Sequence, residues 1–129
     1  MSALLGLHHV AIIVSDYERA KRFYLDVLGF RLDSEVLREE RGSWMANLSL
    51  NGEYLLELFT FPSSPERVSD PEALGLRHLA LAAADPAAVR SDFVRRGVVC
   101  EPLRTDPHTG RAMFFLRDPD GLPVEIHGV

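Results

Sequence analysis

Two stretches of the chain repeat one another at nearly constant spacing. Leu7-x-His9-Val10-Ala11-Ile12 and Leu76-x-His78-Leu79-Ala80-Leu81 lie 69 residues apart, Gly52 and Gly121 are again 69 apart, and Glu57 and Glu125 are 68 apart. A duplication of this kind restricts a chain of 129 residues to folds made of two like halves. Neither half has enough apolar surface to be stable alone, so two of them are expected to pair, within one chain or between two.

Each half opens with a strand and a helix. Leu7 to Val14 reads as a mostly buried strand, because apolar and β-branched residues run without a helical period and stop at Ser15-Asp16. Ser15-x-x-Glu18 has the form of a capping box, and it opens a helix whose apolar positions Ala20, Phe23, Tyr24, Val27 and Leu28 share one face. Gly29 stands where a left-handed C-terminal cap belongs. The Phe23-Tyr24 pair reads as core. Strand-like segments follow at 31–38, 44–50 and 54–61, the last two joined by a turn at Asn51-Gly52. Residues 62–75 are rich in proline, serine and charge and read as a linker.

The order then begins again, with a strand over 76–81, a helix from Asp85-Pro86 to about Arg96, and strands near 99–104, 112–117 and 123–127. Asp118-Pro119-Asp120-Gly121 makes the last turn. The expectation is an α+β fold of two βαβββ modules, 7–61 and 76–128, joined by the linker 62–75 within a single domain, 1–129.

Composition removes several classes of function. The net charge is −5 and no basic stretch is present, so nucleic acid is not an expected partner. No apolar run, Val10 to Val14 included, comes near the length of a membrane span, and no secretory signal pattern is visible. Cys100 is the lone cysteine, which excludes an internal disulfide and suits a reducing compartment; a cytoplasmic location is expected. Cys100 itself reads as a small buried hydrophobe.

The repeat also places one histidine and one glutamate at matching points in each half. His9 and His78 fall on first strands, Glu57 and Glu125 on last strands among apolar residues. An unpaired carboxylate buried there would cost several kcal/mol or shift its pKa strongly. Two imidazoles and two carboxylates around one axis would make an N2O2 site suited to Ni²⁺, Zn²⁺, Co²⁺, Fe²⁺ or Mn²⁺, with positions left for water or substrate. Such a site could polarise a substrate oxygen while a carboxylate moves a proton. The other reading leaves both histidines as hydrogen-bonded core residues and both glutamates facing solvent.

The motifs carry a resemblance. His9-Val-Ala-Ile-Ile-Val-Ser-Asp16, then Phe23-Tyr24-x-x-Val27-Leu28-Gly29-Phe30, and the closing Phe115-Leu-Arg-Asp118-Pro119-Asp120-Gly121-x-Pro123-x-Glu125 resemble the vicinal oxygen chelate superfamily over nearly the whole chain. The resemblance implies paired modules forming a cupped mixed β-sheet, with flanking helices, around one divalent metal ion.

Glyoxalase I-like members carry ligands in the order His, Glu, His, Glu, which His9, Glu57, His78 and Glu125 match. Ring-cleaving dioxygenases and fosfomycin-modifying thiol transferases lack a counterpart of Glu57, and antibiotic-sequestering members have often lost the metal. The implied activity is that of a lactoylglutathione lyase-like enzyme, isomerising a thiol adduct of a 2-oxoaldehyde such as methylglyoxal to a 2-hydroxy thioester. Glu125 is the expected base and Glu57 the next choice. A homodimer is implied, with a small-molecule substrate and no membrane partner.

Glutathione-using members place an arginine four residues after the first histidine, where this chain has Ile13, and Thr60 and Phe61 stand where a further polar partner is usual. These departures leave three choices: another thiol, another substrate with adjacent oxygens, or arginines from elsewhere in the chain in place of the usual one. An epimerase, a dioxygenase or a non-catalytic small-molecule binding module of the same fold are the alternatives.

Of the remaining residues, Arg38 and Trp44 are expected to point into the cup and, with Arg111, to contact substrate. Arg41, Arg77 and Arg104 are further candidates for holding an anion. His8 is expected on the opposite strand face from His9 and His108 in a solvated loop, while His127 shares the Glu125 face.

Overall fold

The computed structural model describes residues 1–129 and divides into two compact units, Met1–Pro65 and Glu66–Val129. The first contains β1 (Val10–Ile13), α1 (Tyr17–Lys21) continued by a π-helical segment (Arg22–Val27), β2 (Arg31–Arg38), β3 (Ser43–Leu50) and β4 (Glu53–Phe59). The second contains β5 (Leu79–Ala83), α2 (Pro86–Arg95), β6 (Arg104–Thr105), β7 (Ala112–Arg117) and β8 (Pro123–Gly128). Both are βαβββ modules, and the fold class is α+β.

Each module builds a four-stranded mixed sheet, ordered β1-β4-β3-β2 in one and β5-β8-β7-β6 in the other. The first strand runs parallel to the last of its own module, with Val10 opposite Leu56 and Leu79 opposite Val124. The remaining pairs are antiparallel. Equivalent residues of the two ladders are thus separated by the spacing that the sequence repeat shows.

In the first unit the helix begins one residue later than the capping box suggests. Asp16, in extended backbone, accepts a hydrogen bond from the Arg19 N–H at 3.0 Å. Its carboxylate is a stronger acceptor at a helix N-terminus than the Ser15 hydroxyl. At the other end Leu28 N–H donates to Phe23 O and Phe30 N–H to Tyr24 O, around Gly29 at φ +85°. That left-handed turn is the expected cap.

Tyr17 stacks on Trp44 with ring centroids 4.7 Å apart and donates to Glu35 Oε1 at 2.9 Å. These contacts lay the helix against β2 and β3, and Tyr24, Ala46, Leu48, Leu56 and Leu58 are almost wholly buried. In the second unit Asp85 caps α2 by accepting from Ala88 N–H, and Phe93 meets the buried Phe114 edge to face.

The first strands are shorter than expected. Both ladders begin at Val10 and Leu79, so His9 and His78 stand at the mouths of β1 and β5 just outside backbone pairing. The strand expected near 99–104 is reduced to Arg104–Thr105 and an isolated bridge from Cys100 to Leu116. Pro102 explains the gap, since it has no N–H to give to the ladder. No helix is long and apolar enough to cross a membrane.

Candidate metal centre

Strand alternation decides which side chains share a face with the glutamates. In β4, Leu56 and Leu58 are buried on the helix side, so Glu57 and Phe59 project from the other face. His9 Nε2 lies 2.8 Å from Glu57 Oε1, and the Glu57 side chain keeps only 14% of its exposure. Tyr54 stacks on the His9 ring at 5.3 Å. Burial first, then the charge of Glu57 and a hydrogen bond to it, hold the Tyr54 hydroxyl above its ordinary pKa.

His8 Nδ1 is 2.8 Å from His9 Nδ1. The expectation that His8 points away from His9 therefore does not hold, because both residues precede the strand and escape its alternation. Across the hairpin Asn47 stands opposite Glu57, with its Oδ1 buried and unpartnered.

The second unit repeats the pair in different surroundings. His78 Nε2 lies 3.2 Å from Glu125 Oε1, with the glutamate side chain 12% exposed. Phe115, opposite Glu125 in the ladder, meets the His78 ring edge-on at 5.2 Å. Arg77 Nη1 lies 3.0 Å from His78 Nδ1 and, being a donor only, makes that nitrogen the acceptor.

His127 does share the Glu125 side, with Nε2 at 4.0 Å from Glu125 Oε2 and at 3.0 Å from Asp106 Oδ2. The bond to Asp106 and then the Gly128 carbonyl raise the His127 pKa, while hydrogen bonds from the His108 backbone and from His127 lower that of Asp106. The His108 side chain is exposed in its loop.

The four donors suit a divalent ion two at a time. Two ligands about 2.1 Å from one ion and at right angles to each other stand about 3 Å apart, which is the separation within both His–Glu pairs. The pairs also present nitrogen and carboxylate oxygen, the donor types that borderline divalent metals take. No group of three or more His, Cys, Asp or Glu side chains is placed to hold a metal ion together, and each module presents one two-donor pair.

The expected substrate contacts separate. Arg38 places its guanidinium over the Phe59 ring at 5.0 Å and donates to Ser43 Oγ at 2.7 Å, with its Nε buried and unpartnered. Trp44, stacked on Tyr17, is on the helix side instead, because it is one residue out of phase with Ser43, the partner of Arg38. Arg111 is exposed beside β7. Burial pushes the Cys100 thiol pKa up, as expected of a packed rather than a reactive cysteine.

Tyr54, Asn47, Asp106 and Arg77 were not predicted as parts of the two pairs. Asn47 was the hardest to foresee. A two-residue turn at 51–52 would set Ala46 opposite Glu57, and only the register shift between Leu48 and Ser49 moves Asn47 there.

Two βαβββ modules, each bearing a histidine–carboxylate pair, define a known class of fold. The family model described as the Glyoxalase/Bleomycin resistance protein/Dioxygenase superfamily matches residues 6–126, and the chain belongs to that superfamily. It is 51% identical to YaeR of Escherichia coli (strain K12), itself uncharacterized, over 98% of each chain. It is 50% identical to the equally uncharacterized YwkD of Bacillus subtilis (strain 168), over 96% of this chain and 97% of that one.

Among solved structures, a glyoxalase family protein from Enterococcus faecalis superposes with a TM-score of 0.87 at 43% identity, covering 95% of this chain and 96% of that one. More distant likenesses diverge in what they do. A 2-epi-5-epi-valiolone epimerase of Actinomyces sp. is 27% identical, over 95% of this chain and 78% of its own. TnmS3, an antibiotic binding protein of Streptomyces sp. CB03234, is 26% identical with a TM-score of 0.72, covering 99% and 98%. The lactoylglutathione lyase of Agrobacterium tumefaciens, at 20% identity and a TM-score of 0.70 over 98% and 96%, shares the fold.

Proposed function

We propose that the protein is a divalent-metal-dependent enzyme of glyoxalase I type, acting on a hemithioacetal of a 2-oxoaldehyde. The observation that carries this reading is the recurrence of one close His–Glu pair in each module, at 2.8 and 3.2 Å, with both carboxylates largely withdrawn from water. His9, Glu57, His78 and Glu125 are the ligands in this account, one pair from each module on a single ion of nickel, zinc, cobalt, iron or manganese. The count is the same whether the modules belong to one chain or to the two chains of a homodimer, which is the assembly proposed.

When bound, the metal ion supplies positive charge that stabilises the oxyanion developing on the substrate. The chain's own groups do the rest. Tyr54 engages Glu57 and stacks on His9, which holds that pair in place as ligands. Glu125 takes the proton from the carbon that bears the thiol and the hydroxyl and returns it to the neighbouring carbonyl carbon, while the hydroxyl proton passes to that carbon's oxygen, giving the 2-hydroxy thioester. Arg38, whose guanidinium meets no carboxylate, binds an anionic part of the substrate. Ile13 makes a thiol other than glutathione the preferred carrier.

A second reading, epimerisation, is favoured by the likeness to an epimerase and by the two carboxylates, one of which would remove a proton and the other return it. The two are told apart by assay of the metal-loaded protein on hemithioacetals of methylglyoxal with cysteine, coenzyme A and glutathione. Thioester formation that is lost by about 100-fold or more in Glu125→Gln supports the isomerase. Metal retention without any thioester turnover contradicts it and moves the protein to the epimerase reading. Absence of metal binding moves it to small-molecule sequestration.

A further inference from the structure

The second unit contains a cavity of about 460 Å³ bounded on one side by residues 67–77 and on the other by β7 and β8. Its lining holds four arginines, at 67, 77, 104 and 117, against the carboxylates of Asp70, Glu72 and Glu101. The local balance is positive in a chain whose net charge is −5.

Two of those arginines are committed to structure. Arg67 donates from Nε to Ser69 Oγ and from Nη2 to the carbonyls of Leu76 and Arg77, which pins the wall in place. Arg77 pairs with Glu72 and reaches His78 Nδ1. The other two keep donors to spare. Arg104 lies over the Phe115 ring at 5.5 Å and only approaches Glu101, at 3.9 Å. Arg117 has a single long bond, 3.4 Å, to the Gly121 carbonyl.

We propose that this cavity is an anion subsite, taking a carboxylate or phosphoryl group between Arg104 and Arg117, with an apolar part of the same molecule over Phe115. Guanidinium forks suit both kinds of anion, and a stacked arginine loses less freedom on binding than a solvated one. Phe115 is also the residue opposite Glu125, and Arg77 joins the cavity wall to His78, so the anion lies beside the second His–Glu pair. That the anion is the tail of the substrate rests on the function proposed above. That the cavity binds an anion does not.

The test is calorimetric titration of metal-free protein with inorganic phosphate and, separately, with succinate, each against sodium chloride at matched ionic strength. Saturable heat from phosphate marks a phosphoryl site, and saturable heat from succinate marks a carboxylate site. Arg104→Gln and Arg117→Gln should each weaken that binding by about tenfold or more. Arg31→Gln, at an exposed pair with Asp33 in the other unit, should leave it unchanged. Both cavity arginines are exposed, so their removal does not threaten folding. No saturable heat from either anion, or equal binding by wild type and the two cavity variants, overturns the proposal. Metal content, measured on the same samples after reloading, reports on the function separately: a protein that holds metal but no anion loses only the subsite.

Discussion

His9 Nε2 lies 2.8 Å from Glu57 Oε1, a contact between a residue at the mouth of β1 and one within its parallel partner β4. His78 and Glu125 make the same contact at 3.2 Å in the second module, in an equivalent register. What surrounds the pairs is not repeated. Tyr54, His8 and Asn47 stand at the first, and Arg77, Phe115 and His127 at the second. Both modules therefore keep the His–Glu pair, while their different neighbours give the two carboxylates different environments; in the proposed function the first serves as ligand and the second also as base.

Tyr54 supports the first pair from behind, through the His9 ring and the Glu57 carboxylate. Tyr54→Phe keeps the stack and removes the hydroxyl. Metal affinity should fall by about 10-fold with the fold unchanged, as for other groups that orient a ligand. Competition with a chelator of known affinity measures this, and an unaltered affinity would remove Tyr54 from the account.

Trp44 belongs to the packing of the helix rather than to substrate binding. Replacing it by alanine removes the stack on Tyr17 and should destabilise the protein by about 2–3 kcal/mol. Urea unfolding gives the stability and steady-state assay the activity. A loss of activity with full stability would return Trp44 to the substrate site.

Acid sensitivity should include the Glu35 cluster. Hydrogen bonds from Lys21 and then Tyr17 hold the Glu35 carboxyl below its ordinary value of 4.5. A depressed carboxylate contributes stability above its ordinary pKa and loses it as pH falls through the lower native value. Glu35→Gln should therefore be less stable than wild type at pH 7, by about 0.5 kcal/mol for so exposed a pair, and the difference should shrink below pH 4.5. Urea midpoints at pH 7 and pH 3 test this; a difference independent of pH would contradict it.

Much of this arrangement was legible in the sequence because duplication samples one pattern twice. The spacing of His9, Glu57, His78 and Glu125 marked the two pairs, and Asn51-Gly52 and Gly29 marked turns whose backbone only such residues adopt readily, at φ +51°, +83° and +85°. Less was legible where tertiary geometry intervenes. The β3 register shift chose Asn47 over Ala46 as the partner of Glu57, the early end of the ladder released His8 from strand alternation, and Trp44 followed Tyr17 to the helix side. The cavity arginines were invisible as a group, since residues 67, 77, 104 and 117 meet only after the segment 67–77 folds back on its sheet.

Binding of one metal ion by the two His–Glu pairs is tested most directly by metal content. Protein equilibrated with Ni²⁺ or Zn²⁺ and freed of excess should retain about one ion per chain, and His9→Ala, Glu57→Gln and Glu125→Ala should each lose it while keeping the wild-type fold by circular dichroism. Folded protein that retains no metal, or variants that retain it as wild type does, would contradict the claim.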